Sequence, residues 1–167
     1  MSFSSLGELQ QIRYYDQGIL RSFSYLDKAG KEVEPIAITK GTATFTTYYQ
    51  SGAKAIVQTR VNGDLDGKYI HYYSNGKIAE EEEYHADDRH GLSVYFYENG
   101  NKKLEINYKW DEKHGVETKY HSNGKIQYSQ EYLFGKKHGI RKEYSAEGKL
   151  IKTIYYYNDE AISQLPN

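Results

Sequence analysis

The sequence predicts an all-β protein, a repetitive curved antiparallel β-sheet made of tandem 24-residue β-hairpin units. Three observations predict it. Glycines recur at a spacing of 24, at Gly67, Gly91, Gly115 and Gly139 and again at Gly76, Gly100, Gly124 and Gly148. Aromatic residues keep the same ruler, at Tyr48, Tyr72, Phe96, Tyr120 and Tyr144 and at Tyr84, Tyr108, Tyr132 and Tyr156. Between these columns apolar and polar residues alternate with the period of two that a strand imposes.

Each unit divides into two strands and two turns. From Gly67 to Tyr84 it reads GKYIHYYSNGKIAEEEEY. Asn75-Gly76 predicts a hairpin turn because both residues tolerate positive φ, and Asn99-Gly100 and Asn123-Gly124 repeat it. The second turn ends in His90-Gly91, His114-Gly115 and His138-Gly139. Alternation puts Leu92, Val94 and Phe96 on the inner face with Leu104, Ile106 and Tyr108. Tyr69, His71, Tyr73, Tyr95 and Tyr97 are then outward. Residues 1–42 read as a degenerate first unit with an irregular connection broken by Pro35, residues 43–157 as the repeat domain, and 158–167 as a cap or tail. The whole reads as one continuous structural domain.

Composition fits a thin sheet. There are 19 Tyr and 5 Phe, and a Tyr ring can pack while its hydroxyl stays wet. The formal net charge is -1, which speaks against a nucleic-acid partner held by its phosphates. Charge is nevertheless split along the chain. Residues 61–111 hold six Lys/Arg against eleven Asp/Glu, and residues 112–152 hold nine against five. Such a split can steer a charged protein partner. With no cysteine, disulfides and thiolate chemistry are excluded. The first ten residues lack the pattern of a signal peptide and no stretch is long and apolar enough for a spanning helix, so the expected compartment is the cytoplasm.

The segments YYSNGKIAEEEEY, YFYENGNKKLEINY, KYHSNGKIQYSQEY and EYSAEGKL resemble the bacterial variant of the MORN repeat, over residues 43–157. The nearer likeness is to the YwqK-type family, described as antitoxins or immunity proteins of toxin–antitoxin and polymorphic-toxin systems. The resemblance implies a MORN-like sheet solenoid and a non-enzymatic protein that neutralises a cognate toxin or effector by direct binding. The alternative is a structural or adaptor scaffold for a protein assembly or a membrane surface. The resemblance carries over no catalytic residue; the repeat glycines and aromatics are structural.

No Ser-His-Asp arrangement, phosphate loop or zinc signature is readable, so no catalytic residue, metal or cofactor is expected. Histidines His90, His114 and His138 recur one per unit. Two strands separate neighbours, about 9.6 Å, too far to share an ion that needs its ligands at about 2 Å. They read as turn histidines. The candidate partner-binding residues are the outward Tyr69, His71, Tyr73, Tyr95 and Tyr97, with the acidic Glu81, Glu83, Asp87 and Asp88 beside them. Against this stands cover of that face by the N-terminal segment or by a second copy of the chain, and self-association through sheet edges is admitted.

Overall fold

The computed structural model describes residues 12–26, 29–37 and 41–166. Three strands come first: β1 (Ile12–Asp16), β2 (Ile19–Ser24) and β3 (Ile36–Ala37), which form their own small antiparallel sheet. The repeat region follows with β4 (Thr42–Tyr48), β5 (Lys54–Val61), β6 (Asp64–Tyr72), β7 (Ile78–His85), β8 (Asp88–Arg89), β9 (Gly91–Phe96) and β10 (Lys102–Lys109). It continues through β11 (Glu112–Lys113), β12 (Gly115–Tyr120), β13 (Ile126–Leu133), β14 (Lys136–Tyr144), β15 (Leu150–Tyr157) and β16 (Glu160–Pro166). The expected cap or tail thus carries β16. All pairings are antiparallel and join β4 through β16 into one 13-stranded sheet, in which β7 pairs with β9 and β10 with β12 while the short β8 and β11 each pair back on the strand before them.

The tandem β-hairpin units are present, but the curved solenoid is corrected. The large sheet is open: its path runs from β4 at one edge to β16 at the other, and it neither closes nor curls. Curling shortens one face, which must then carry the smaller side chains. Here both faces carry large ones, Tyr69, Tyr95 and Tyr128 on one and Ile70, Tyr120 and Tyr155 on the other.

The Asn-Gly turn does not take positive φ at both residues. At Ser74-Asn75-Gly76 the loop has three residues. The Tyr73 amide donates to the Lys77 carbonyl at 2.7 Å and the Gly76 amide to the Tyr73 carbonyl at 2.9 Å. Only Gly76 takes positive φ, at 82°, while the Asn75 Oδ1 accepts the Lys77 amide at 2.9 Å. The two-residue turns with both φ positive lie at the other end of the unit, at Ala86-Asp87, Trp110-Asp111, Phe134-Gly135 and Asn158-Asp159.

One extra residue in the returning strand follows each three-residue loop. His71 faces Glu80 but Tyr72 faces Ile78, and Lys119 faces Tyr128 but Tyr120 faces Ile126. Such a bulge moves every later side chain to the opposite face. Leu104 therefore lies opposite Tyr95, and Ile106 opposite Ser93. The expectation that Leu92, Val94 and Phe96 share a face with Leu104, Ile106 and Tyr108 is corrected on this ground. One face, here the tyrosine face, holds Phe45, Gln58, Tyr69, Glu82, Tyr95, Ile106, Glu117, Gln130, Arg141 and Ile154. The reverse face holds Val57, Ile70, Glu81, Val94, Glu105, Thr118, Ser129 and Lys142. Burial agrees, since Ser93 is 0% exposed and Ile106 1%, whereas Leu92 is 43% exposed.

Units are stitched at both ends. Tyr73 Oη donates to the Phe96 carbonyl at 2.7 Å and Tyr97 Oη to the Tyr120 carbonyl at 2.8 Å, each reaching into the next unit. At the opposite end Asp87 Oδ1 accepts the Leu65 amide at 2.7 Å, and Asp159 Oδ1 accepts the Lys137 amide at 2.8 Å. The small sheet lies on the tyrosine face at the β4–β6 end, where Phe23 meets Phe45 edge-on with ring centroids 4.5 Å apart. Phe23 is 0% exposed and Phe45 3%.

Candidate functional site

Beyond the small sheet the tyrosine face has polar centres roofed by tyrosines. Glu82 is 7% exposed. Tyr84 Oη donates to its Oε2 at 2.8 Å and Tyr95 Oη to its Oε1 at 2.5 Å. Tyr84 stands two residues along the same strand and Tyr95 comes from β9, so alternation and pairing deliver both phenols to one carboxylate. Charge-assisted bonds of this kind offset the loss of water around a buried anion. Burial, then the bond to Glu82, pushes both phenols above their ordinary pKa. Burial followed by the Glu82 charge also raises the neighbouring Glu80 carboxyl.

A second centre lies on β12. Glu117 is 2% exposed and accepts Lys113 Nζ at 2.5 Å and Tyr128 Oη at 2.6 Å. Burial alone would depress the Lys113 ammonium, but the bonded Glu117 holds it above its ordinary value. Cations lie over the surrounding rings. The Arg89 guanidinium is 4.0 Å from the Tyr108 centroid and that of Arg141 is 3.9 Å from Tyr128. The ammonium of Lys113 is 4.9 Å from Tyr132, that of Lys137 5.2 Å from Tyr156, and that of Lys119 5.9 Å from Tyr128. Arg141 Nε also donates to Glu143 Oε1 at 2.6 Å. Arg141 and Lys152, after the opposing pull of burial, hold the Glu143 carboxyl below its ordinary range. The chemistry available here is recognition by charge and stacking. Among the described residues no group of three or more His, Asp or Glu is arranged to hold a metal ion, and no helix is long and apolar enough to cross a membrane.

The sequence-predicted partner residues fall into four places. Tyr69, His71 and Tyr95 stand together on the tyrosine face with Glu80 and Glu82. Glu81 and Glu83 lie on the reverse face, lining a shallow cleft of about 190 Å³ with Lys68, Ile70, Leu92 and Val94. Tyr73 and Tyr97 immediately precede the three-residue loops and act as the staples described above. Asp87 belongs to the two-residue turn and Asp88 begins β8; Asp87 faces a cleft of about 520 Å³ between the two sheets, which Arg13, Tyr15 and Arg60 also line. The turn histidines back onto exposed aromatic rings, His90 on Trp110 at 4.6 Å and His114 on Phe134 at 5.5 Å. Alternation in the sequence already puts Glu117 and Lys119 on the face of Tyr95, and Lys137 stands in a basic run with Lys136, Arg141 and Lys142. It puts Tyr128 on the opposite face; counting parity through the bulge brings Tyr128 to theirs, where it faces Lys119.

The profile described as MORN repeat variant matches residues 65–86, 89–109, 113–133 and 137–159, just over half of the chain. No curated protein matches it. Among solved structures, the chain is similar to a mutant of S. aureus TarM crystallised with Fondaparinux, alpha-GlcNAc-glycerol and UDP. Identity is 15% and the TM-score 0.35, with 74% of this chain and 21% of that one covered. The chain thus spans about a fifth of that structure's length.

Proposed function

The chain belongs to the MORN repeat variant family, and from that premise we propose that it is a non-enzymatic scaffold or adaptor that binds a protein through its tyrosine face. One observation carries the reading. The small N-terminal sheet covers that face at β4–β6, while from β9 to β15 no described strand lies across it. Tyrosine and arginine dominate the energetics of protein contacts because they join a large apolar surface to a polar handle. The charge carried by the repeats gives such a contact a preferred orientation.

A second, finer reading names the partner as a cognate toxin or effector, neutralised in the cytoplasm. What favours it is the likeness of residues 43–157 to the YwqK-type family. Capture of the tagged full chain from its native cells at moderate salt, followed by reconstitution from purified components, tests both. A stoichiometric protein partner that rebinds the pure chain is expected. If that partner is toxic alone and harmless when co-expressed, the finer reading stands; unchanged toxicity removes it. Recovery with lipid alone, and no protein, would overturn the protein-binding reading.

A further inference from the structure

We propose that the tyrosine face from β9 to β15 docks an acidic, extended segment of a partner protein. The inference rests on the protein-binding reading and specifies the chemistry of its partner. The uncovered face continues an interface the chain already uses. At β4–β6 the same face receives the small sheet, with Phe23 seated on Phe45. Past that cover its charge changes sign. Glu80 and Glu82 stand on β7, facing His71 and Tyr69. From β8 onward the face presents Arg89, Lys113, Lys119, Lys137, Arg141 and Lys152, against the carboxylates Glu117 and Glu143.

The two carboxylates do not consume this charge. Glu117 is matched by Lys113, and Glu143 is shared by Arg141 and Lys152. Arg89 pairs with Asp111 at the turn. Lys119 and Lys137 make no ion pair with a described residue, and each is held over a tyrosine ring. An ammonium parked on a ring keeps its charge available and loses little freedom when a carboxylate arrives. Lys119 lies on β12, Arg141 on β14 and Lys152 on β15. A chain crossing the strands meets positive charge along a path of about 14 Å, taking roughly 4.8 Å per strand. At β7 the buried Glu82 and the half-buried Glu80 repel it, which fixes where the segment stops.

The purified full chain is titrated with fluorescently labelled poly-glutamate, and the captured partner is competed against it. Binding that weakens with salt is expected. Lys119→Glu with Lys137→Glu should weaken it about tenfold, while Lys142→Glu, exposed on the reverse face, should leave it unchanged. Circular dichroism establishes that each variant is folded, and Lys119→Gln with Lys137→Gln provides a milder pair if reversal unfolds the sheet. No binding, or equal loss on Lys142→Glu, overturns the inference. So does preference for phosphatidylserine vesicles over the peptide, or self-association abolished by the same pair. If the captured partner still binds the Lys119/Lys137 variant with full affinity, this inference fails and the protein-binding reading survives. If the wild-type chain captures no protein, that reading fails instead.

Discussion

The tyrosine face is built in two ways, and the difference follows from what lies over it. Under the small sheet it carries Phe45, sealed by Phe23 at 0% exposure, a contact between two layers. From β9 to β15 no described strand forms a second layer, yet Ile106, Glu117 and Gln130 are 1%, 2% and 0% exposed. There Tyr128 and Lys113 of the same face close over Glu117. A side chain with an apolar body and a polar tip can bury its neighbours while its own end stays in water. The covered region is therefore a small core, and the open region is a finished surface that is dry beneath and charged above.

This contrast can be broken by substitution. Phe23→Ala should have the largest effect, a loss of about 3–5 kcal/mol measured by chemical denaturation, because it opens the core between the layers. Equal stability of variant and wild type would mean that the small sheet does not seal the β4–β6 end. Next comes Gly139→Ala. Gly139 has φ of 75°, and an added Cβ would stand 2.9 Å from Cδ of Glu131. A loss of about 1–2 kcal/mol is expected from the left-handed backbone and the displaced carboxylate together. Tyr97→Phe removes the staple to the Tyr120 carbonyl and should cost about 1 kcal/mol whether or not a partner is present. If instead stability is unchanged and only partner binding suffers, Tyr97 is a contact residue as the sequence suggested.

Two carboxylates give the smallest effects, with opposite signs. Burial raises Glu80, so its contribution is fully present below the ordinary carboxylate range and lost as pH rises through its folded value. At neutral pH the ionised group is a penalty, and Glu80→Gln should stabilise there, with the gain vanishing in acid. Glu143 is held low by Arg141 and Lys152, so its contribution is present at neutral pH and lost as pH falls through its folded value. Glu143→Gln should destabilise at neutral pH and converge with wild type in acid. Denaturation midpoints at neutral and acid pH check both, and two variants shifting in the same direction would contradict the charge contrast along this face.

Much of the architecture was legible in the sequence, because glycine and aromatic columns record unit length and turn positions directly. The face of each strand was not. Asn75-Gly76 marks a hairpin equally well with a two-residue or a three-residue loop, and the bulge at Ala79, Lys103 or Gln127 leaves no residue type of its own. A single extra residue moved Tyr95 onto the face of Glu82 and Ile106. It also separated Glu81 and Glu83 from the tyrosines they were read beside. The open, uncurled sheet escaped as well, since a repeat period fixes the number of strands and not how far they bend. The small sheet's cover over Phe45 depends on contacts between distant segments, which alternation within one strand does not encode.

The chain has no cysteine, so single cysteines report each face separately. Lys119→Cys and Lys142→Cys, labelled with a maleimide with and without the captured partner, test the central claim most directly. The account predicts that the partner slows labelling at position 119 on the tyrosine face and leaves position 142 on the reverse face reactive. Protection of position 142 with free labelling at position 119 would contradict it.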